Sequence, residues 1–94
     1  MRFIWDEDKN EINIQKHGID FVDVPEMFKY PMVTDIDNRK DYGEERWVGV
    51  GILETIIATV VYTEINDGTI RIISARKATK RERSEYENTL KNRF

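Results

Sequence analysis

The chain contains no cysteine and only one histidine, His17. Without cysteine there can be no disulfide, no thiolate nucleophile and no thiolate-ligated metal. With a single imidazole as well, ordinary structural zinc is excluded. No apolar run is long enough to span a bilayer: the longest, Ile56 to Tyr62, is interrupted by Thr59. The opening Met-Arg-Phe-Ile-Trp-Asp lacks the apolar stretch of a secretory signal. Linkers, internal repeats and low-complexity segments are also missing. These absences give the expectation of a reducing, cytoplasmic address and no membrane association.

What is present is 94 residues, 35% charged and 39% hydrophobic, enough for one domain with one modest core. The net charge of −3 argues against a nucleic-acid binder until the chain is divided. Residues 1–70 hold seven Lys/Arg against fifteen Asp/Glu, a balance of −8. Residues 71–94 hold eight against three, a balance of +5. Arg71, Arg76, Lys77, Lys80, Arg81 and Arg83 face only Glu82 among acidic neighbours in that stretch. Screening confines each charge to about 8–10 Å, so such a cluster can hold phosphates whatever the global charge. Salt bridges to the acidic remainder are the alternative use of the same groups.

Local signals give the element order β-α-α-β-β-β-β-α, an α+β domain with helices against one antiparallel sheet. Arg2 to Trp5 reads as an edge strand. Asp6 reads as the N-cap of a helix over Glu7 to His17, with Gly18 as its left-handed C-terminal residue. Lys9, Asn13 and Lys16 share a polar face of that helix, with His17 beside them. A shorter helix follows, with Phe21, Val24 and Phe28 on one side; Pro25 is tolerable only in its first turn, which points to Asp23 as N-cap. Strands are expected at Met32–Asp37, Arg46–Leu53, Thr55–Glu64 and Thr69–Ala75, the last two joined by the hairpin signal Asn66-Asp67-Gly68. Thr79 and Glu82 form a capping box opening the final helix, whose narrow stripe of Tyr86, Leu90 and Phe94 predicts weak docking.

Several candidates for chemistry follow. His17 carries the one side chain in the chain suited by nature to proton transfer near neutrality. Strict alternation in Arg71-Ile-Ile-Ser-Ala-Arg76 places Arg71 with Ile73 and Ala75, and Arg76 with Ile72 and Ser74. Arg76 precedes the N-terminus of the final helix, where guanidinium groups and free backbone N–H groups together suit a phosphate. Tyr62 and Trp47 offer rings for an unpaired base, Tyr62 the better of the two because it carries a hydroxyl near its strand's end. Asp35-Ile-Asp37-Asn-Arg-Lys-Asp41 begins like a calcium loop. It fails as one, because Lys40 and Arg46 stand where glycine and glutamate are needed, and it reads as a solvated loop.

Three blocks of this sequence resemble the BrnT family of bacterial toxins, ribonucleases of the RelE-like superfold. The first is Trp5-Asp6, Lys9, Asn13, Lys16-His17-Gly18-Ile19 and Phe21. The second is Asp41-Tyr42-Gly43-Glu44-Glu45-Arg46 with the following strand and Gly51. The third is Val61-Tyr62-Thr63, Ile70 to Arg76, Ala78-Thr79 and Glu82-Arg83. The chain departs from the family at Ile65-Asn66-Asp67-Gly68, where an arginine is common, and at Pro25. The resemblance implies a type II toxin that cleaves RNA without a metal or other cofactor and so halts translation and growth. It implies neutralisation by a BrnA-type antitoxin, and operator DNA bound only by the toxin–antitoxin complex.

On that basis Arg46, Arg71 and Arg76 are expected to hold and stabilise the phosphate, and His17 or Lys9 to act as general acid or base. Tyr62 would orient a base or sugar. Asn13, Lys16, Lys77, Thr79, Lys80 and Arg83 are expected to contact substrate. A non-catalytic RNA- or DNA-binding module, or an interaction subunit using its final helix as a handle, are the alternatives.

Overall fold

A computed structural model describes residues 1–93. Its elements are β1 (Arg2–Ile4), α1 (Glu7–His17), a 3₁₀ run (Phe21–Lys29), β2 (Val33–Ile36), β3 (Trp47–Leu53), β4 (Ile56–Asn66), β5 (Thr69–Lys77) and α2 (Lys80–Arg93). The five strands form one sheet in the order β1-β5-β4-β3-β2. No helix among the described residues is long and apolar enough to cross a membrane.

The sheet is mixed, which corrects the expectation of a wholly antiparallel one. β2, β3, β4 and β5 run antiparallel to their neighbours, but β1 pairs parallel with β5, Phe3 opposite Ile70. That register sets Phe3 on the core face, its ring 5.0 Å from that of Phe28. A two-residue turn cannot join parallel strands, and here the rest of the chain intervenes between them.

The second helix is a run of 3₁₀ turns capped by Asp20, whose carboxylate accepts the Val22 N–H at 3.0 Å; Asp23 is not the cap. Pro25 supplies no N–H and its ring would crowd the carbonyl four residues back in an α-helix. With three residues per turn, Phe21, Val24 and Met27 align in one stripe, and all three are fully buried. They cover one face of the sheet, meeting Ala58, Val60, Tyr62, Ile72 and Ala75.

The opposite face is covered only in part. α2 lies over β3, where Tyr86 meets Val50 and Ala78 and donates its hydroxyl to the Pro31 carbonyl at 3.2 Å. Tyr86 is 2% exposed and Leu90 packs beside it, so α2 docks through the narrow apolar stripe that was read, with Tyr86 as its one buried anchor. Phe94 lies outside the described residues. The capping box forms as read: Glu82 N–H donates to Thr79 Oγ1 at 3.1 Å and Thr79 N–H to Glu82 Oε1 at 2.8 Å.

The inward side of α1 is built from asparagine. β1 covers only the start of β5, so the Ala75 backbone faces an open sheet edge. Asn13 fills that gap, its Oδ1 accepting the Ala75 N–H at 3.1 Å and its Nδ2 donating to the Ala75 carbonyl at 2.9 Å. The same Nδ2 donates to the Ile19 carbonyl at 2.9 Å. Asn10 does the like for the next segment, accepting from Phe21 N–H and donating to Asp20. Asn13 is therefore not on an open face with Lys9 and Lys16, as the spacing suggested; it is buried and its amide is fully used.

Replacing Asn13 with alanine strips these three backbone groups of their partner. Asn13→Ala should lower unfolding free energy by about 2–4 kcal/mol, read from the urea midpoint at unchanged slope. A loss below about 0.5 kcal/mol would contradict the clamp.

Candidate functional site

A cleft of about 400 Å³ opens on the sheet face that α2 leaves uncovered. Val48, Val61 and Ser74 line its floor; His17, Arg39, Arg76 and Glu82 stand around it. His17 reaches it because the Asn13–Ala75 bonds hold α1 against the edge of β5, leaving the last turn of α1 beside that face. Arg76 reaches it from the end of β5, opposite Thr59. The imidazole and this guanidinium, brought from distant parts of the sequence, share one cleft.

A β-bulge decides which arginines face it. The β4–β5 register shifts between Val61 and Tyr62: Val61 pairs with Ser74, but Tyr62 pairs with Ile72. The extra residue, Ile73, resets the alternation. Arg71, Ser74 and Arg76 thus lie opposite Thr63, Val61 and Thr59 on the cleft face, while Ile72 and Ala75 join the core. Strict alternation had put Arg71 and Arg76 on opposite faces, and the bulge corrects it.

Each arginine is held by a carboxylate. Arg76 donates from Nη1 and Nη2 to the two oxygens of Glu82, at 2.7 and 2.9 Å. Glu82 Oε1 also accepts from Thr59 Oγ1 at 3.0 Å and from Thr79 N–H. The hydrogen bonds from Arg76 lead in pulling the Glu82 carboxyl down to about 2, against partial burial; the same pairing raises Arg76. Arg39 holds Asp37 in the same forked way, at 2.8 and 2.9 Å, and the Asp37 carboxyl is drawn to about 2. Asp37 has its side chain 1% exposed, so the reading of a solvated loop fails at that residue.

Arg46 and Arg71 gather elsewhere on this face. Glu44 accepts from Arg71 Nη2 at 2.6 and 2.7 Å and from Arg46 Nε at 3.2 Å. Arg46 also lies over the Tyr42 ring, 3.9 Å from its centroid. Four residues of β4 separate the partners of Arg71 and Arg76, or roughly 13 Å along the strand. The three arginines therefore do not meet at one phosphate.

Other expected site residues are dispersed. Tyr62 is a correction: its ring is in the core, edge-on to Phe28 at 5.0 Å, and burial pushes its hydroxyl pKa up. Trp47, paired with Tyr62, packs on the same core. Lys9 is exposed in the first turn of α1, roughly 12 Å of helix rise from His17. Lys16 is exposed next to His17, and Lys80 at the start of α2. Lys77 lies opposite Ala58, on the face away from Arg76. Thr79 is engaged in its cap, and Arg83 is half-buried beside Glu82.

Four cleft residues were legible but unread. Asp37 and Arg39 are two apart, the spacing that puts side chains on one side of an extended chain. Thr59 interrupts the longest apolar run, and it does so on the cleft face. Glu82 was read only as half of a capping box, although the same carboxylate orients Arg76.

Since Glu82 titrates near 2 when folded and near 4.5 ordinarily, its pairing stabilises the fold above pH 4.5 and is lost as pH falls toward 2. Glu82→Gln should flatten the decline of unfolding free energy across that window, measured by urea denaturation at stepped pH. A decline as steep as in the parent chain would contradict the pairing.

The BrnT family model, described as a ribonuclease toxin of a type II toxin–antitoxin system, matches residues 5–82. Among solved structures, the chain is similar to the Brucella abortus ribonuclease toxin BrnT, known from a crystal structure at 1.1 Å resolution. The two are 32% identical with a TM-score of 0.66, over 85% of this chain and 99% of the other. No individually curated protein matches the sequence. A match over most of the chain, the mixed sheet with its flanking helices and the shared fold together establish that this protein belongs to the BrnT family of type II toxin–antitoxin toxins.

Proposed function

We propose that this chain is an endoribonuclease toxin that cleaves RNA with the substrate's own 2′-hydroxyl as nucleophile, without a metal, in the cytoplasm. One observation carries the assignment: His17 and Arg76 line the same cleft. Loss of the 2′-OH proton to solvent lets that oxygen attack the adjacent phosphorus. The bond to the 5′-oxygen breaks, and a proton goes to that leaving oxygen. A 2′,3′-cyclic phosphate and a 5′-hydroxyl are the products.

Arg76 supplies charge stabilisation at the phosphate oxygens. Glu82 takes one hydrogen from each terminal nitrogen of Arg76 and the Lys77 carbonyl takes the second from Nη1, which leaves Nε–H and one Nη2 hydrogen for a phosphate. The pairing also fixes the plane of the guanidinium before substrate arrives, which is where preorganised electrostatics gains its effect. Asp37 and Glu82 remain ionised near neutrality, so neither is a source of the proton. The imidazole of His17 is the group suited to that transfer. Lys16 and Lys80 at the margins attract the RNA backbone. A BrnA-type antitoxin neutralises the toxin, and their complex represses its own promoter.

Incubating the purified chain with labelled RNA in EDTA tests this, with product length and end groups as the readout. Shortened RNA with cyclic phosphate ends is expected. RNA retarded in a gel but never shortened would make the chain a binding module instead. Arg76→Ala should lower cleavage by about 10²–10³ with the fold retained. His17→Gln should abolish cleavage while preserving RNA binding, and undiminished cleavage in either variant would remove that residue from the site.

A further inference from the structure

The cluster of Arg71, Arg46 and Glu44 has no part in the chemistry at Arg76, yet it is connected to it. The main cleft is bordered by Ile36, Asp37 and Asn38, and these same residues border a shallower depression reaching Arg46. Glu44 and Glu45 border that depression and a third, which contains Arg71 and Thr63. Their shared residues set the three hollows side by side, from the uncovered sheet face across the β2–β3 connection to the far end of β4. The floor at Val61 is apolar, with an arginine at either end.

Glu44 shows what the far end binds. Its carboxylate sits between two guanidinium groups, which is an anion in a two-arginine cradle. Burial alone would raise the Glu44 carboxyl, but hydrogen bonds from Arg46 and Arg71 outweigh it and hold it lower than usual. Tyr42 supports the Arg46 plane from behind. Glu44 belongs to the connection between β2 and β3 rather than to the sheet, and its side chain is 31% exposed, so an incoming phosphodiester, a monoanion like the carboxylate, can take its place. Arg–phosphate pairing is forked and charge-assisted in the same manner as Arg–carboxylate pairing.

Spacing identifies the ligand. The two arginine positions are roughly 13 Å apart along the strand, about two nucleotide steps of an extended single strand. We infer that Arg71 and Arg46 form a second phosphate subsite, so that this row of hollows takes extended single-stranded RNA in which a phosphate two linkages from the scissile one displaces Glu44. This rests on the ribonuclease reading for its scissile end, but not for the subsite itself.

The test uses the full chain in EDTA and RNA oligonucleotides of increasing length. The kcat/KM should step up by about ten- to a hundredfold once three successive phosphates are present, then level off. In Arg71→Ala the ratio between long and short substrates should collapse to within about threefold. A neutral methylphosphonate placed two linkages from the cleaved bond should weaken the parent chain and add little to Arg71→Ala. Glu44→Gln, which removes the competing anion, should raise kcat/KM for long substrates a few-fold. No step with length, or a step that survives in Arg71→Ala, would overturn the subsite. If no RNA is cleaved at any length, the ribonuclease reading fails. Binding of 2′-O-methyl oligonucleotides then decides the subsite by the same length series and the same variants.

Discussion

A single carboxamide holds the site together. The edge of β5 beyond the reach of β1 presents a backbone N–H and carbonyl at Ala75, and burying them unpaired would cost on the order of 1–3 kcal/mol each. Asn13 meets both, as a neighbouring strand would, and takes the Ile19 carbonyl with its remaining hydrogen. α1 is thereby fixed beside the sheet rather than stacked upon it. A helix packed by leucines would have covered one face; this one lies along an edge, and its last turn delivers His17 to the side opposite the core.

That arrangement leaves the domain with one thick side and one thin side. The 3₁₀ run fills the core face with fully buried Phe21, Val24 and Met27, while α2 covers the other face only as far as Tyr86. The uncovered remainder carries arginines, and each is balanced by a carboxylate: Glu82 for Arg76, Asp37 for Arg39, Glu44 for Arg71 and Arg46. Arginines gathered on one face of a chain of net charge −3 are less contradictory in this light. Part of the acidity serves to hold guanidinium groups in position. Buried Asp37 and half-buried Glu82 are fixed orienters, whereas Glu44 is more exposed and belongs to the β2–β3 connection.

Much of this was legible in the sequence because it is local. The caps at Asp6, Gly18 and Thr79, the hairpin at Asn66-Asp67-Gly68 and the alternating strands all follow from short-range rules, and the structure agrees. The joint presence of His17 and Arg76 at one site followed from the family resemblance and from the basic cluster. What was not legible depends on register. The bulge at Ile73 moves Arg71 to the face of Arg76, and no propensity marks it. The inward turn of Asn13 and Asn10 reverses the usual rule that the polar side of a helix faces water. Tyr62 resembled a base platform by type and position, but its pairing with Trp47 commits both rings to the core.

The claim on which the account stands is that His17 and Arg76 act on one phosphodiester. NMR titration of the protein with a non-cleavable 2′-O-methyl RNA in EDTA measures this directly. Following the His17 ring protons and the Arg76 guanidinium together, both signals should move along the same binding curve. An oligonucleotide that binds while leaving either signal in place, or that moves the two with different affinities, would contradict it.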